Sequence, residues 1–220
     1  MDWTAQIDGY CERLGPGFWA EPLNALTNLA FLIAAFVMWR RTRGQGMPMA
    51  TLLIALLAAI GIGSALFHTL ATRWAALADV IPIALFILAY LFAANRAFWG
   101  WPLWAAALGT LAFIPYAAAL IPLFQSLPFF AISAAYWPVP LLIAATAFLL
   151  RGRAPATARG LAIAAGLLTL SLTLRSLDDP LCTALPMGTH LWWHILNGAM
   201  LGWMIEVYRR HVLEARAAGR

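Results

Sequence analysis

The sequence predicts an all-α membrane protein of seven transmembrane helices, with its N-terminus outside and its C-terminus in the cytoplasm. Three observations carry that prediction. The chain of 220 residues is 63% hydrophobic and only 10% charged, where a soluble domain is nearer half apolar and a quarter charged. Apolar runs of about 18 residues or more recur along its length, each long enough to cross a bilayer core as a helix. The runs are continuously apolar rather than alternating, which disfavours a transmembrane β-barrel.

The segments fall at about 22–39, 49–70, 77–95, 103–121, 129–150, 158–176 and 189–208. Residues 1–21 precede them as an acidic outer segment, and residues 209–220 follow as a basic cytoplasmic tail. The first span ends at Arg40, Arg41 and Arg43. The second carries Ser64 and His68 near its end, and the third opens with Asp79 and closes before Arg96. The fourth is bounded by tryptophans, among them Trp101 and Trp104. Pro138 and Pro140 are expected to kink the fifth, which membrane helices tolerate where neighbours satisfy the freed carbonyls. Arg151, Arg153 and Arg159 separate it from the sixth, and the seventh opens with "GTHLWWHILNG".

Orientation follows from the arginines. The loops after spans one, three and five and the tail, with Arg209, Arg210, Arg216 and Arg220, hold most of them; the alternate loops hold only Arg73. Short loops rich in arginine stay on the cytoplasmic side. The same distribution argues against nucleic-acid binding, although the net charge is +5. No basic segment leads into an apolar core at the N-terminus, so no cleavable signal peptide is expected. No linker or internal repeat divides the chain, which reads as one membrane domain. Short loops and the bias to alanine, leucine and arginine look bacterial, hence an inner-membrane protein with its site towards the periplasm.

With this topology, Ser64, His68, Asp79, His190 and His194 share the outer layer. His190 and His194 are i and i+4, stacked on one face of the seventh helix, where two imidazoles can share one metal ion. His68 would complete a three-histidine set with a fourth position left for water, the arrangement of a catalytic zinc site. Leu191 stands where a protease motif of this spacing carries glutamate, so the general base must come from elsewhere. Asp79 is the one carboxylate expected at that depth on a neighbouring helix. Two other readings stay open: a proton relay, and histidines that only hydrogen-bond. Ionisable groups within a membrane are costly and mark function by default.

Taken together, "IDGYCER…WAEPLNALTN", "GIGSALFH", Asp79 and "HLWWH" resemble the alkaline ceramidase family, part of the CREST group of seven-helix membrane hydrolases. The motifs run in the family's order over nearly the whole chain. The resemblance implies a zinc-dependent amidase that cleaves the N-acyl bond of ceramide, giving a sphingoid base and a fatty acid. It makes His68, His190 and His194 the zinc ligands, Asp79 the residue that handles the proton, and Ser64 a contact to the metal or the oxyanion. Ser64 is open to a plainer reading, a small residue that lets helices approach. Eukaryotic members also resemble calcium proteins at their N-terminus. That likeness implies Asp8, Glu12, Glu21 and Asn24 as calcium ligands, with a carbonyl of Gly9 or Tyr10. Leu14 departs from the pattern by replacing an oxygen-bearing side chain, and the acids can instead cap the first helix and pair with Arg13 or Arg73.

Cys11 and Cys182 both fall on the expected outer side, as a disulfide or as two buried thiols. Arg175 is expected to reach the outer interface or to pair with Asp178 or Asp179, and Asp178 is a candidate acceptor for a ligand histidine. Trp192 and Trp193 wall the site or meet lipid. A lipid substrate would need an apolar pocket below the metal. Two other classes of function stay open: a seven-helix lipid receptor or sensor with a structural metal, and a proton-coupled transporter. Confinement of the polar residues to one end counts against transport.

Overall fold

The computed structural model describes residues 2–219, so Arg220 of the basic tail lies outside it. Its helices are α1 (Pro22–Thr27), α2 (Leu29–Thr42), α3 (Pro48–Leu70), α4 (Arg73–Ala97), α5 (Leu103–Leu111), α6 (Phe113–Gln125), α7 (Pro128–Ala131), α8 (Pro138–Leu150), α9 (Pro155–Ser176), α10 (Asp178–Leu181) and α11 (His190–Ala217). Among the described residues there is no named strand. Five stretches are long and apolar enough to cross a membrane: Pro22–Thr42, Pro48–Leu70, Arg73–Ala97, Leu103–Gln125 and Pro155–Ser176. Pro138–Leu150 is a shorter apolar helix.

The segment expected at 129–150 differs most from its prediction. Only its two ends are helical, and α8 begins at Pro138 rather than kinking there. The missing proline N–H is harmless in a first turn, where no intrahelical partner exists for it. The resulting helix is 13 residues long, about 20 Å at the usual rise, which is less than a bilayer core.

At the other extreme, α11 continues well past the expected 208 to Ala217. Glu206 explains the continuation. It accepts hydrogen bonds from Arg209 and Arg210, three and four residues on, and from Arg41 of α2. Arg216 donates to the carbonyls of Gln45 and Gly46. Arg153 reaches the carbonyl of Trp99, and Arg96 that of Trp101. The arginine-rich loops and the helical tail therefore meet at one end of the bundle.

The core lies where α3, α9 and α11 face one another, with Leu53, Leu57, Ile60, Leu161, Leu172 and Ile205 fully buried. Ile33, Phe36, Leu108, Phe148 and Leu149 face outwards. An apolar exterior suits a protein whose solvent is lipid. Close helix contact depends on small residues. A Cβ on Gly63 would lie 2.0 Å from the carbonyl oxygen of Ala78, so the α3 and α4 backbones touch there, immediately before Asp79. Gly63→Ala is expected to cost about 1–3 kcal/mol by overpacking, read as a lower Tm in detergent. It should also reduce turnover more than metal content, because the contact it opens carries Asp79.

Candidate metal centre

The site is roofed by the N-terminal segment, which has no hydrophobic helix of its own and is held by hydrogen bonds. Ile7 N–H donates to the Ala71 carbonyl at 2.7 Å, and the N–H groups of Arg73 and Trp74 donate back to Ala5 and Trp3, each at 3.2 Å. Cys11 is disulfide-bonded to Cys182, which decides the pairing that the sequence left open. Asp178 completes the join. Its carboxylate accepts the backbone N–H groups of Cys11 at 3.1 Å, Thr189 at 2.6 Å and His190 at 2.8 Å. A carboxylate at the start of α11 satisfies N–H groups that no helical carbonyl can reach. Gly188 makes room for it: its φ is +66°, and a Cβ there would lie 2.1 Å from Asp178 Oδ1. Asp178 thus holds the backbone of His190, not its ring.

Three buried imidazoles meet beneath this roof. The ring centroids of His68 and His194 are 4.6 Å apart, those of His190 and His194 4.7 Å, and those of His68 and His190 5.1 Å. One ligand nitrogen from each lies within 4.8 Å of the others. The outer partners of two rings settle which nitrogen faces inwards. His68 Nδ1 lies 2.6 Å from Glu21 Oε2, so it carries the proton and leaves the Nε2 lone pair free. His194 Nδ1 lies 2.9 Å from the Thr27 hydroxyl, which already donates to the Leu23 carbonyl at 2.7 Å and must accept from the ring. His194 Nε2 is free in the same way.

These atoms test whether a metal fits. His68 Nε2, His194 Nε2 and His190 Nδ1 are all buried without a hydrogen-bond partner. Each such orphan costs about 1–3 kcal/mol in an ordinary core. Three at one point are the donor set of a cation that binds imidazole, and the N–H partners at Glu21 and Thr27 are those that orient ligand histidines elsewhere. The three histidines can hold a metal such as zinc.

Glu21 corrects two expectations. It is a second carboxylate at the depth of Asp79, and it is occupied. Arg13, 5% exposed, donates to it through Nε and also to the carbonyls of Gly15 and His68, each at 3.0 Å. Asn24 Nδ2 donates to its other oxygen at 3.2 Å. Burial pushes the Glu21 carboxyl up, but the hydrogen bonds from His68, Arg13 and Asn24 outweigh it and hold it below the usual carboxylate range. Glu12 is occupied as well, accepting the N–H groups of Leu23 at 2.6 Å and Asn24 at 2.8 Å at the start of α1. Among the described residues the histidine trio is the one group of three or more histidine, cysteine or acidic side chains gathered as for a metal. Calcium at Asp8, Glu12, Glu21 and Asn24 gains no support. The Arg13 guanidinium supplies the positive charge that Glu21 and its neighbouring carbonyls would otherwise draw from a cation.

On the remaining side, Ser64 lies beside the Asp79 carboxylate, which is in the field of His68 and Arg175. Arg175 pairs with neither Asp178 nor Asp179. It donates to the Ile132 carbonyl at 2.7 Å and to Ser133 Oγ at 2.9 Å, and lies over the rings of Tyr136 and Trp193. Aromatic faces attract a guanidinium wherever water is excluded. Tyr10 stacks on His190, with ring centroids 3.8 Å apart. Trp193 is buried beside the trio, whereas Trp192 is exposed.

Sequence reasoning missed Thr27 and the ring of Tyr10, whereas the pairing of an acid with Arg13, met by Glu21, and the capping of the first helix, met by Glu12, were alternatives it had left open. Glu21, Asn24 and Thr27 recur at threes in "EPLNALT", and a polar stripe in an otherwise apolar helix is the signal that points to Thr27.

An apolar cavity of about 910 Å³, counting the part open to the surroundings, begins beside the trio at Phe31, Tyr136 and Trp193 and continues past Phe86 and Met200 to Phe98 and Met204. Among curated proteins none matches the chain. A family model described as Ceramidase matches residues 3–218, from the roof segment through the last turn of α11. Because that match runs nearly end to end, through every residue of the centre, the chain belongs to the ceramidase family.

Proposed function

We propose that the protein is a membrane-embedded, zinc-dependent amidase that hydrolyses the N-acyl bond of ceramide or a related N-acyl lipid. The observation that carries this reading is the convergence of three partnerless histidine nitrogens next to Phe31 and Trp193 of an apolar cavity, with Ser64 and Asp79 nearby. Seven spans with the N-terminus outside and the C-terminus inside go with it, supported by arginine-rich loops that meet at one end of the bundle. The disulfide suits an oxidising compartment on the side of the site, such as a bacterial periplasm.

Zinc held by His68, His190 and His194 would supply a Lewis acid for the amide carbonyl and a more acidic water. The protein's own groups supply the rest. The cavity takes a lipid chain and brings the amide to the trio. Asp79 takes the proton of the attacking water and returns it to the departing amine, which leaves as a sphingoid base. The Ser64 hydroxyl lies beside Asp79, and its one hydrogen is the near donor to the amide oxygen when negative charge develops there. Arg175 adds its positive charge to the field around Asp79.

Purified protein is expected to carry close to one zinc per chain and to release fatty acid and free base from N-acyl lipids, measured by mass spectrometry. A zinc-selective chelator should stop release, and a calcium-selective chelator should not. Release that survives zinc removal would overturn the reading, and binding of the lipids without release would favour a receptor.

A further inference from the structure

The cavity below the trio is almost wholly hydrocarbon, and the Tyr90 and Thr146 hydroxyls in its lining are spent on carbonyls. The Tyr90 hydroxyl donates to Met204 at 3.0 Å, and the Thr146 hydroxyl to Leu142 at 2.8 Å. Asn197 is different. It lines the cavity, is only 5% exposed, and its Nδ2 has no hydrogen-bond partner. It follows His194 by three residues and His190 by seven, so it shares their face of α11, about 4.5 Å further along the axis. An unsatisfied amide is costly in an apolar wall where the neighbouring lining residues are Met200, Leu201 and Met204. A ligand group that accepts from it removes that cost.

Resting on the amidase reading, we infer that Asn197 is a specificity-determining residue that donates a hydrogen bond to a hydroxyl on the lipid, within the first few carbons of the scissile amide. Its place fits that distance. The amide must sit at the trio, and the chain that descends from it passes Asn197 within its first turn of α11. Two chains leave an N-acyl amide, so the hydroxyl belongs either to the acyl chain or to the sphingoid base. A pocket built to hydrogen-bond a hydroxyl rejects the analogue lacking it more sharply than an apolar pocket rejects an added one.

The test uses N-palmitoyl sphinganine, its 2-hydroxypalmitoyl counterpart and its 3-deoxysphinganine counterpart, with kcat/KM measured for wild type and Asn197→Leu. Wild type is expected to favour the hydroxylated member of one pair by about three- to tenfold. In the variant that ratio should fall to about one, while the other pair keeps its wild-type ratio. The pair that responds identifies which chain carries the hydroxyl. Ratios are internal to each preparation, so a general loss of activity does not imitate the effect, and Asn197→Ala serves if the leucine variant does not fold. Equal ratios in wild type and variant for both pairs would overturn the inference and leave Asn197 as a residue satisfied by water. Failure of every lipid to turn over would sink the amidase reading instead. The same ratios would then be read as Tm shifts with palmitate against 2-hydroxypalmitate and sphinganine against 3-deoxysphinganine, and equal shifts would again overturn the role of Asn197.

Discussion

Asp79→Asn is expected to keep its metal and lose about 10²–10⁴-fold in turnover, the usual contribution of a positioned general base. Asparagine has nearly the shape of aspartate, so the α3–α4 contact at Gly63 and Ala78 should survive. What it cannot do is take a proton from water. Metal content by mass spectrometry, Tm in detergent and product release together separate this outcome from unfolding. Activity within a few-fold of wild type would exclude Asp79 as the base, and the other carboxylate nearby is no substitute. Glu21 is shared among Arg13, His68 and Asn24, and has no free oxygen to receive a proton without losing one of them.

The second large effect is expected at His190. His190→Ala removes one of three ligand nitrogens and the ring on which Tyr10 stacks. Loss of a residue that merely orients a ligand costs about 10–100-fold in metal affinity, so loss of a ligand should exceed that. The purified variant is expected to contain little zinc and to show turnover at background. His190→Ala that retained one zinc per chain would remove His190 from the ligand set. Its fold should persist, because Asp178 holds the backbone N–H of residue 190 whatever the side chain.

The parts of this site that were legible in the sequence were those whose logic is local. His190 and His194 stack because a helix repeats every 3.6 residues, and Ser64 and His68 share a face for the same reason. The spans of α3, α4 and α9 showed as continuous apolar runs. What was not legible depends on partners far away in the chain. Glu21 carries the same carboxylate whether it meets calcium or a guanidinium, and only packing places Arg13 against it rather than in water. Arg175 was expected to reach the outer interface or to pair with Asp178 or Asp179. It lies instead over two aromatic rings, a choice that the order of residues does not encode. The 129–150 region looked like one kinked helix because its composition is uniformly apolar, and composition does not say that Pro138 will begin a helix. The link between Cys11 and Cys182 spans 171 residues and was likewise a matter of topology.

Those long separations govern how such a protein can be made. One histidine stands at position 68 and the other two at 190 and 194, while the groups that orient them, Glu21 and Thr27, emerge almost first. On the zinc reading proposed above, a nascent chain that has yet to deliver its last helix owns one ligand of three and an open roof. It therefore has no metal affinity to speak of, and no activity with which to attack the bilayer into which it is being inserted. Loading waits for α11, and covalent closure over the loaded centre waits for Cys182, only eight residues before His190. Any truncation before that helix should yield an apo-protein, so ribosome stalling or C-terminal proteolysis would leave an inert remnant rather than an unregulated amidase.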